Sequence, residues 1–240
     1  MDEFRTGVIR PVECFKEAWE LIKDQYWLLL GITFVGAVIG GASMYILLGA
    51  MLCGVYYCYF KKIDGKPVVF EELFKGFSYF LPGLIVMLVM IIPTIIVFAG
   101  IYIPFIIAAV MGSNLSQDEF MLLLGGTLVA ELVFAFFMVC LHTLLMFAFP
   151  LIVDRNLSAG KAMMISAKAV WKNMSGVIGL FLVAFVLAIA GYLIFCIGIY
   201  FVIPIIIAAN IVAYRKVFPP ANNANFIGQP ASPVSFRDAV

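Results

Sequence analysis

Hydrophobic positions in this chain come in long unbroken runs. Uncharged stretches cover Trp27–Phe60, Ser78–Gln117, Phe120–Val153 (interrupted by Glu131 alone) and Asn173–Tyr214. About 20 apolar residues at 1.5 Å each cross a hydrocarbon layer of about 30 Å, so every run is too long for one helix and too continuous for a barrel strand. The first run divides at Gly40-Gly41-Ala42-Ser43, a cluster of weak helix formers suited to a tight reversal. The last divides near Gly198, ahead of Pro204, and the middle pair is separated by the polar Gly112–Glu119. Six crossings result, at 27–42, 44–60, 80–100, 129–152, 175–196 and 199–217.

Between the hydrophobic runs the period changes. Phe15, Ala18, Trp19 and Ile22 recur at i, i+3, i+4, i+7, as do Phe70, Leu73, Phe74 and Phe77. Each set makes one apolar stripe on an α-helix, with charges opposite. Residues 158–173 form a weaker third case, with Lys161, Lys168 and Lys172 toward one side, Ser158 as N-cap, and Pro67 suited to the first turn of the second helix. The expected fold is an all-α membrane protein of six transmembrane helices in three hairpins, each preceded by a cytoplasmic amphipathic interfacial helix. Its repeat-like units are 9–62, 66–155 and 157–217 within a single domain 1–217. The match of Gly100–Ala109 (GIYIPFIIAA) to Gly198–Ala209 (GIYFVIPIIIAA) fits a duplication, though apolar helices also resemble one another by composition. Residues 218–240 are too poor in apolar side chains to pack and read as a disordered tail. The first 24 residues carry both signs of charge and do not read as a cleaved leader, so the first crossing is expected to direct its own insertion.

Composition sharpens this picture. The chain is 65% hydrophobic and 12% charged, half the roughly 25% of a soluble domain. A net charge of +1 points away from nucleic acid. All 15 Lys and Arg residues fall on one side of the six-crossing plan, and the three opposite loops hold none. The positive-inside rule makes that side cytoplasmic, with both termini there. Lys61, Lys62, Lys66, Arg155, Arg215 and Lys216 are therefore topology anchors, and the basic segments also suit anionic lipid heads.

Candidate chemistry is sparse. Ionisable groups inside a membrane are functional candidates by default, and two qualify. His142 lies 13 residues before Arg155, about 20 Å along a continuous helix, hence near the bilayer middle. Glu131 is three turns away on the same face and near the outer surface, about 16 Å off, too far for a dyad. A packing role for His142 is favoured over proton relay. Gly36 and Gly40 form a small-xxx-small pair for close helix approach, internal packing being favoured over a dimer contact. Pro104 and Pro204 hold matching positions in the duplicated segment and are weak hinge or binding-site candidates. Asp154-Arg155 reads as a structural corner, and Asn114-Leu-Ser116 is formally a glycosylation sequon on the outer side. The five cysteines lack metal spacing and are expected to be free thiols. The sequence carries no phosphate-cradling loop, HExxH, GxSxG or Cys/His cluster, so neither metal, cofactor nor enzymatic activity is expected.

The stretches FKEAWELIKDQYWLLLGI, GAMLCGVYYCYFKKIDGKPVVFEELFKGF, FPLIVDRNLSAGKAMMISAKAVWKN and CIGIYFVIPIIIAANIVAYRKVF together resemble a broad group of uncharacterised bacterial inner-membrane proteins. That group is similar to the membrane domain fused to some glycerophosphodiester phosphodiesterases. The similarity spans about residues 9–217. It implies a cytoplasmic-membrane location and six helices; the catalytic domain is absent and no site residues carry over. The expected role is a non-catalytic membrane-organising or accessory component that self-associates or binds other membrane proteins. The alternative is a small transporter or handler of lipids and hydrophobic molecules, which requires a polar cavity around His142, Pro104 or Pro204.

Overall fold

A computed structural model of the chain describes residues 4–111, 116–193 and 198–220. Every regular element among them is helical: α1 (Pro11–Ile22), α2 (Tyr26–Ala42), α3 (Leu48–Ile63), α4 (Phe80–Met111), α5 (Gln117–Leu144), α6 (Ala148–Arg155), α7 (Ala159–Lys172), α8 (Met174–Leu193) and α9 (Gly198–Val217). Two 3-10 segments, Lys23–Gln25 and Phe70–Tyr79, precede α2 and α4. Five helical segments are long and apolar enough to cross a membrane, those containing α2, α4, α5, α8 and α9. The remaining expected crossing, α3, has only 16 residues, about 24 Å, and falls short on length.

Several boundaries differ from expectation, each for a local reason. The first reversal comes after Ala42. The Ser43 hydroxyl donates to the Gly40 carbonyl at 2.8 Å and accepts the Leu47 amide at 3.1 Å, while Met44 and Tyr45 turn the chain with φ of 51° and 68°. Asp118 and Glu119 belong to the first turn of α5, not to a loop. Ser116 and Glu119 form a reciprocal capping box that starts this helix 12 residues before the expected crossing. The fourth crossing is not one helix either. It breaks after Leu144, where buried Ser166 of α7 donates to the Leu144 carbonyl at 2.7 Å and accepts the Phe147 amide at 3.1 Å.

The second amphipathic segment is a ten-residue 3-10 helix, not an α-helix, and Pro67 lies before it. At three residues per turn, Phe70, Leu73, Gly76 and Tyr79 share one ridge facing the protein, and Phe74 and Phe77 stack on another, outward. The tight winding follows from how close this segment comes to α3. A Cβ on Gly76 would lie 2.0 Å from the Ala50 oxygen, and one on Gly54 would lie 1.9 Å from the Leu73 oxygen. Only glycine permits that backbone-to-backbone approach. Gly49 and Gly83 continue the seam.

Burial concentrates around α3, which packs against α2, α4, α6, α9 and the 3-10 segment. One apolar face of α1 (Cys14, Phe15, Ala18, Ile22) is buried against α8 and α9, with Trp19 left partly exposed. Glycine again allows the contact: Gly176 and Gly179 of α8 accommodate Ile9 and Pro11. The two stripes thus cover the protein's own helices only in part, through Phe15, Ala18, Ile22 and Leu73, and leave Trp19, Phe74 and Phe77 exposed. Phe218, grouped with the tail on composition, is fully buried beside Phe147 and Tyr214 and meets Phe4 at 6.0 Å. In contrast, no described side chain from Ile91 to Leu144 is buried, so the distal α4–α5 hairpin presents apolar surface on all sides.

Candidate functional site

The charged residues gather into a network joining the ends of three helical hairpins. Arg215, one turn from the end of α9, donates to Asp154 of α6 at 2.9 Å and to both oxygens of Asp64, just after α3, at 3.1 Å. The Tyr214 hydroxyl adds a 2.7 Å bond to Asp154. Around this fork, Arg215 lies over the Phe60 ring and Arg155 over the Phe218 ring, 4.8 and 5.1 Å from their centroids. Arginine suits the position because its planar fork serves two carboxylates and an aromatic face together. Its Nε is buried without a partner.

Further pairs extend the network. Lys61 and Lys75 both reach the buried Glu72, at 2.6 and 3.3 Å. Lys62 pairs with Asp24, and Lys216 with Glu17 at 2.8 Å. Four of the six anchors, Lys61, Lys62, Arg215 and Lys216, are therefore neutralised by acids of the same chain. Arg155 and Lys66 are exposed and have no acidic partner among the described residues. Sequence reasoning missed the anchors' pairs because those partners lie 11 to 199 positions apart.

The intramembrane candidates are not brought together. His142 is exposed on α5, and its Nδ1 bonds the Met138 carbonyl of its own helix at 2.8 Å. The break at Leu144 comes two residues after it, so a separation of about 20 Å from Arg155 along one continuous helix no longer applies. Glu131 accepts the Tyr102 hydroxyl of α4 at 2.8 Å, a bond that clips the hairpin. Pro204 is buried within α9. It lacks the N–H that would serve the Tyr200 carbonyl, and the neighbouring Phe201 carbonyl accepts the Tyr26 hydroxyl. Pro104 falls within α4, but its side chain lies outside the described residues, as do Asn114 and Cys196. Gly36 faces Val55 and Leu73, and Gly40 faces Leu48, so both glycines sit at contacts inside the chain. Cys14, Cys53, Cys58 and Cys140 are free thiols.

Near Pro204, the residues Trp27, Leu30, Gly31, Phe34, Tyr200 and Phe201 line an apolar groove of about 350 Å³ between α2 and α9. Trp27 meets Phe201 edge-on at 6.1 Å and Phe34 meets Tyr200 at 6.5 Å. No metal-binding cluster occurs among the described residues. No family model, curated protein or solved structure matches the chain, so its own residues carry the functional argument.

Proposed function

We propose that this is a six-crossing protein of a bacterial cytoplasmic membrane, with both termini inside, acting as a non-catalytic organising or accessory component. In this reading α3 is the sixth crossing, a short central helix supported along its length by its neighbours. The residues 43–47 close the α2–α3 hairpin on the outer side, and the paired charges lie at the inner face.

The observation that supports an accessory role is how the polar side chains of the apolar helices are bonded. Thr33 bonds the Leu29 carbonyl and the Tyr59 hydroxyl; Thr94 and Thr143 bond carbonyls one turn back; Tyr102 holds Glu131; His142 holds its own backbone. Groups committed in this way fix helices and are not arranged to pass a solute. Among the buried polar side chains of the described apolar helices, Asn210 differs, its Oδ1 lacking a partner beside Tyr56. Native mass spectrometry of protein extracted in mild detergent from its own membrane tests the proposal. A homo-oligomer or a co-purifying membrane protein at fixed stoichiometry is expected. Solute uptake by reconstituted vesicles that is lost in Asn210→Leu would replace the accessory role with transport.

A further inference from the structure

The groove between α2 and α9 leads along an aromatic path toward Lys16 of α1, and the geometry points to a binding site for one anionic phospholipid. Its acyl chain lies in the groove and its phosphate faces Lys16. This inference rests on the membrane reading above.

The apolar part is built from side chains that leave a space unfilled. Gly31 lies between Trp27 and Phe34 on α2, and a Cβ placed there would meet nothing within 4 Å. Trp27 and Phe34 are seven residues apart, so the groove follows α2 for about 10 Å. Its walls are aromatic and aliphatic, complementary to a methylene chain and to no polar solute. The Tyr26 hydroxyl is occupied by the Phe201 carbonyl, which holds α9 at this distance from α2.

The polar part follows directly. Trp27 contacts Tyr26 at 5.5 Å between rings, and Tyr26 contacts Trp19 of α1 at 5.7 Å. Trp19 has Lys16 at i−3 on its own helix, a position that shares its face. Indole rings favour the level of lipid headgroups. Because α3 and α9 supply partners for two of its acids, this stretch leaves one cation over. Arg10 pairs with Glu13, Lys23 with Glu20, Lys216 with Glu17 and Lys62 with Asp24. Lys16 is exposed and has no acidic partner among the described residues. Of the six anchors first expected to meet lipid heads, Lys61, Lys62, Arg215 and Lys216 are held by carboxylates, while Lys66 and Arg155 have no acidic partner among the described residues but do not line this groove. Lys16 is thus the cation left over beside the aromatic path into this groove, and together they complement an anionic head with its chain below.

The test uses full-length protein reconstituted in nanodiscs of equal phosphatidylglycerol and phosphatidylcholine, released into native mass spectrometry. Wild type is expected to retain one phosphatidylglycerol, and glycerol phosphate alone should not displace it. Gly31→Leu, which fills the groove, should abolish that adduct, and Trp27→Ala should weaken it by removing an exposed wall. Lys16→Gln should keep a bound lipid but lose roughly fivefold of the preference for the anionic head. Gly31→Ala serves as the folding control. Absence of the adduct in wild type, or unchanged retention in both Gly31→Leu and Trp27→Ala, overturns the site. So does an unchanged preference in Lys16→Gln. Alkaline carbonate extraction separates the two levels: protein released from the pellet refutes the membrane reading itself, whereas protein retained without a specific adduct refutes only the lipid site.

Discussion

Gly76→Ala isolates the contact on which the centre of the fold depends. A Cβ at this position would stand 2.0 Å from the Ala50 oxygen, 2.5 Å from the Gly54 nitrogen and 2.8 Å from the Gly54 Cα. Ordinary contact begins near 3.4 Å, so the 3-10 segment and α3 would have to separate by more than 1 Å. All three obstructing atoms are backbone, and no side-chain rotation relieves the overlap. Separation would also loosen Leu73, which is fully buried, and the Lys61–Glu72 pair. Overpacking of this kind costs about 1–3 kcal/mol or more, whereas the propensity gain from replacing glycine by alanine is at most about 1 kcal/mol. The expected net loss is therefore about 2 kcal/mol, which in a chain of this size lowers the melting midpoint by roughly 4–8 °C.

The assay is thermal unfolding in one fixed detergent, read as loss of the monodisperse size-exclusion peak. Gly126→Ala on α5 is the matched control, because a Cβ there meets nothing within 4 Å and only the propensity term acts. Its midpoint should hold or rise. If Gly76→Ala melts together with wild type and Gly126→Ala, the backbone seam between α3 and residues 70–79 is refuted.

Four other outcomes follow from individual contacts. Arg215→Met should cost about 2–3 kcal/mol, since it strands the largely buried Asp154, whereas Asp64→Asn, on a carboxylate that is 44% exposed, should cost under about 1 kcal/mol; the order of melting midpoints checks this. Ser166→Ala removes both partners at the α5–α6 break and should lower stability by about 2–4 kcal/mol in the same assay. Asn173→Ala removes the bonds to the Gly7 amide and the Arg5 carbonyl, so tryptic cleavage after Arg5 should accelerate while the rest of the chain resists. His142→Phe should leave the melting midpoint within about 0.5 kcal/mol of wild type, as the ring bonds only its own helix.

What the sequence made legible is what depends on runs and periods. Length and hydropathy locate the apolar helices, and the Phe15–Ile22 stripe marks the buried face of α1. The second stripe misleads because Phe70, Leu73 and Phe77 fit an α-helical period while residues 70, 73, 76 and 79 fit a period of three. The glycine at position 76, opposite Gly54 on the preceding helix, is the signal that distinguishes them. The early start of α5 was also written in the chain, as the Ser116-x-x-Glu119 capping box, but its charges read as a loop. The break at Leu144 was not legible, because the group that makes it tolerable is the hydroxyl of Ser166, 22 positions away. Long-range ion pairs escaped for the same reason: a lysine count shows where cations are, not which acids will face them.

The two roles of those cations belong to different moments. During insertion, orientation follows Lys and Arg in the short loops, and acidic residues count for little. In the folded protein, Asp24, Glu72, Asp154, Asp64 and Glu17 meet the same cations, and Arg215 joins the ends of α3, α6 and α9 at one point. On the proposed topology, a charge-poor chain would use one set of side chains first to choose a side of the membrane and then to tie its hairpins together. The roles separate cleanly on the acidic partners. Asp154→Asn keeps every cation and should leave loop accessibility to an impermeant maleimide unchanged, while it loosens the contact between α6 and α9. Removing Lys61 and Lys62 alters both processes at once, which is why the acids, not the lysines, are the informative substitutions.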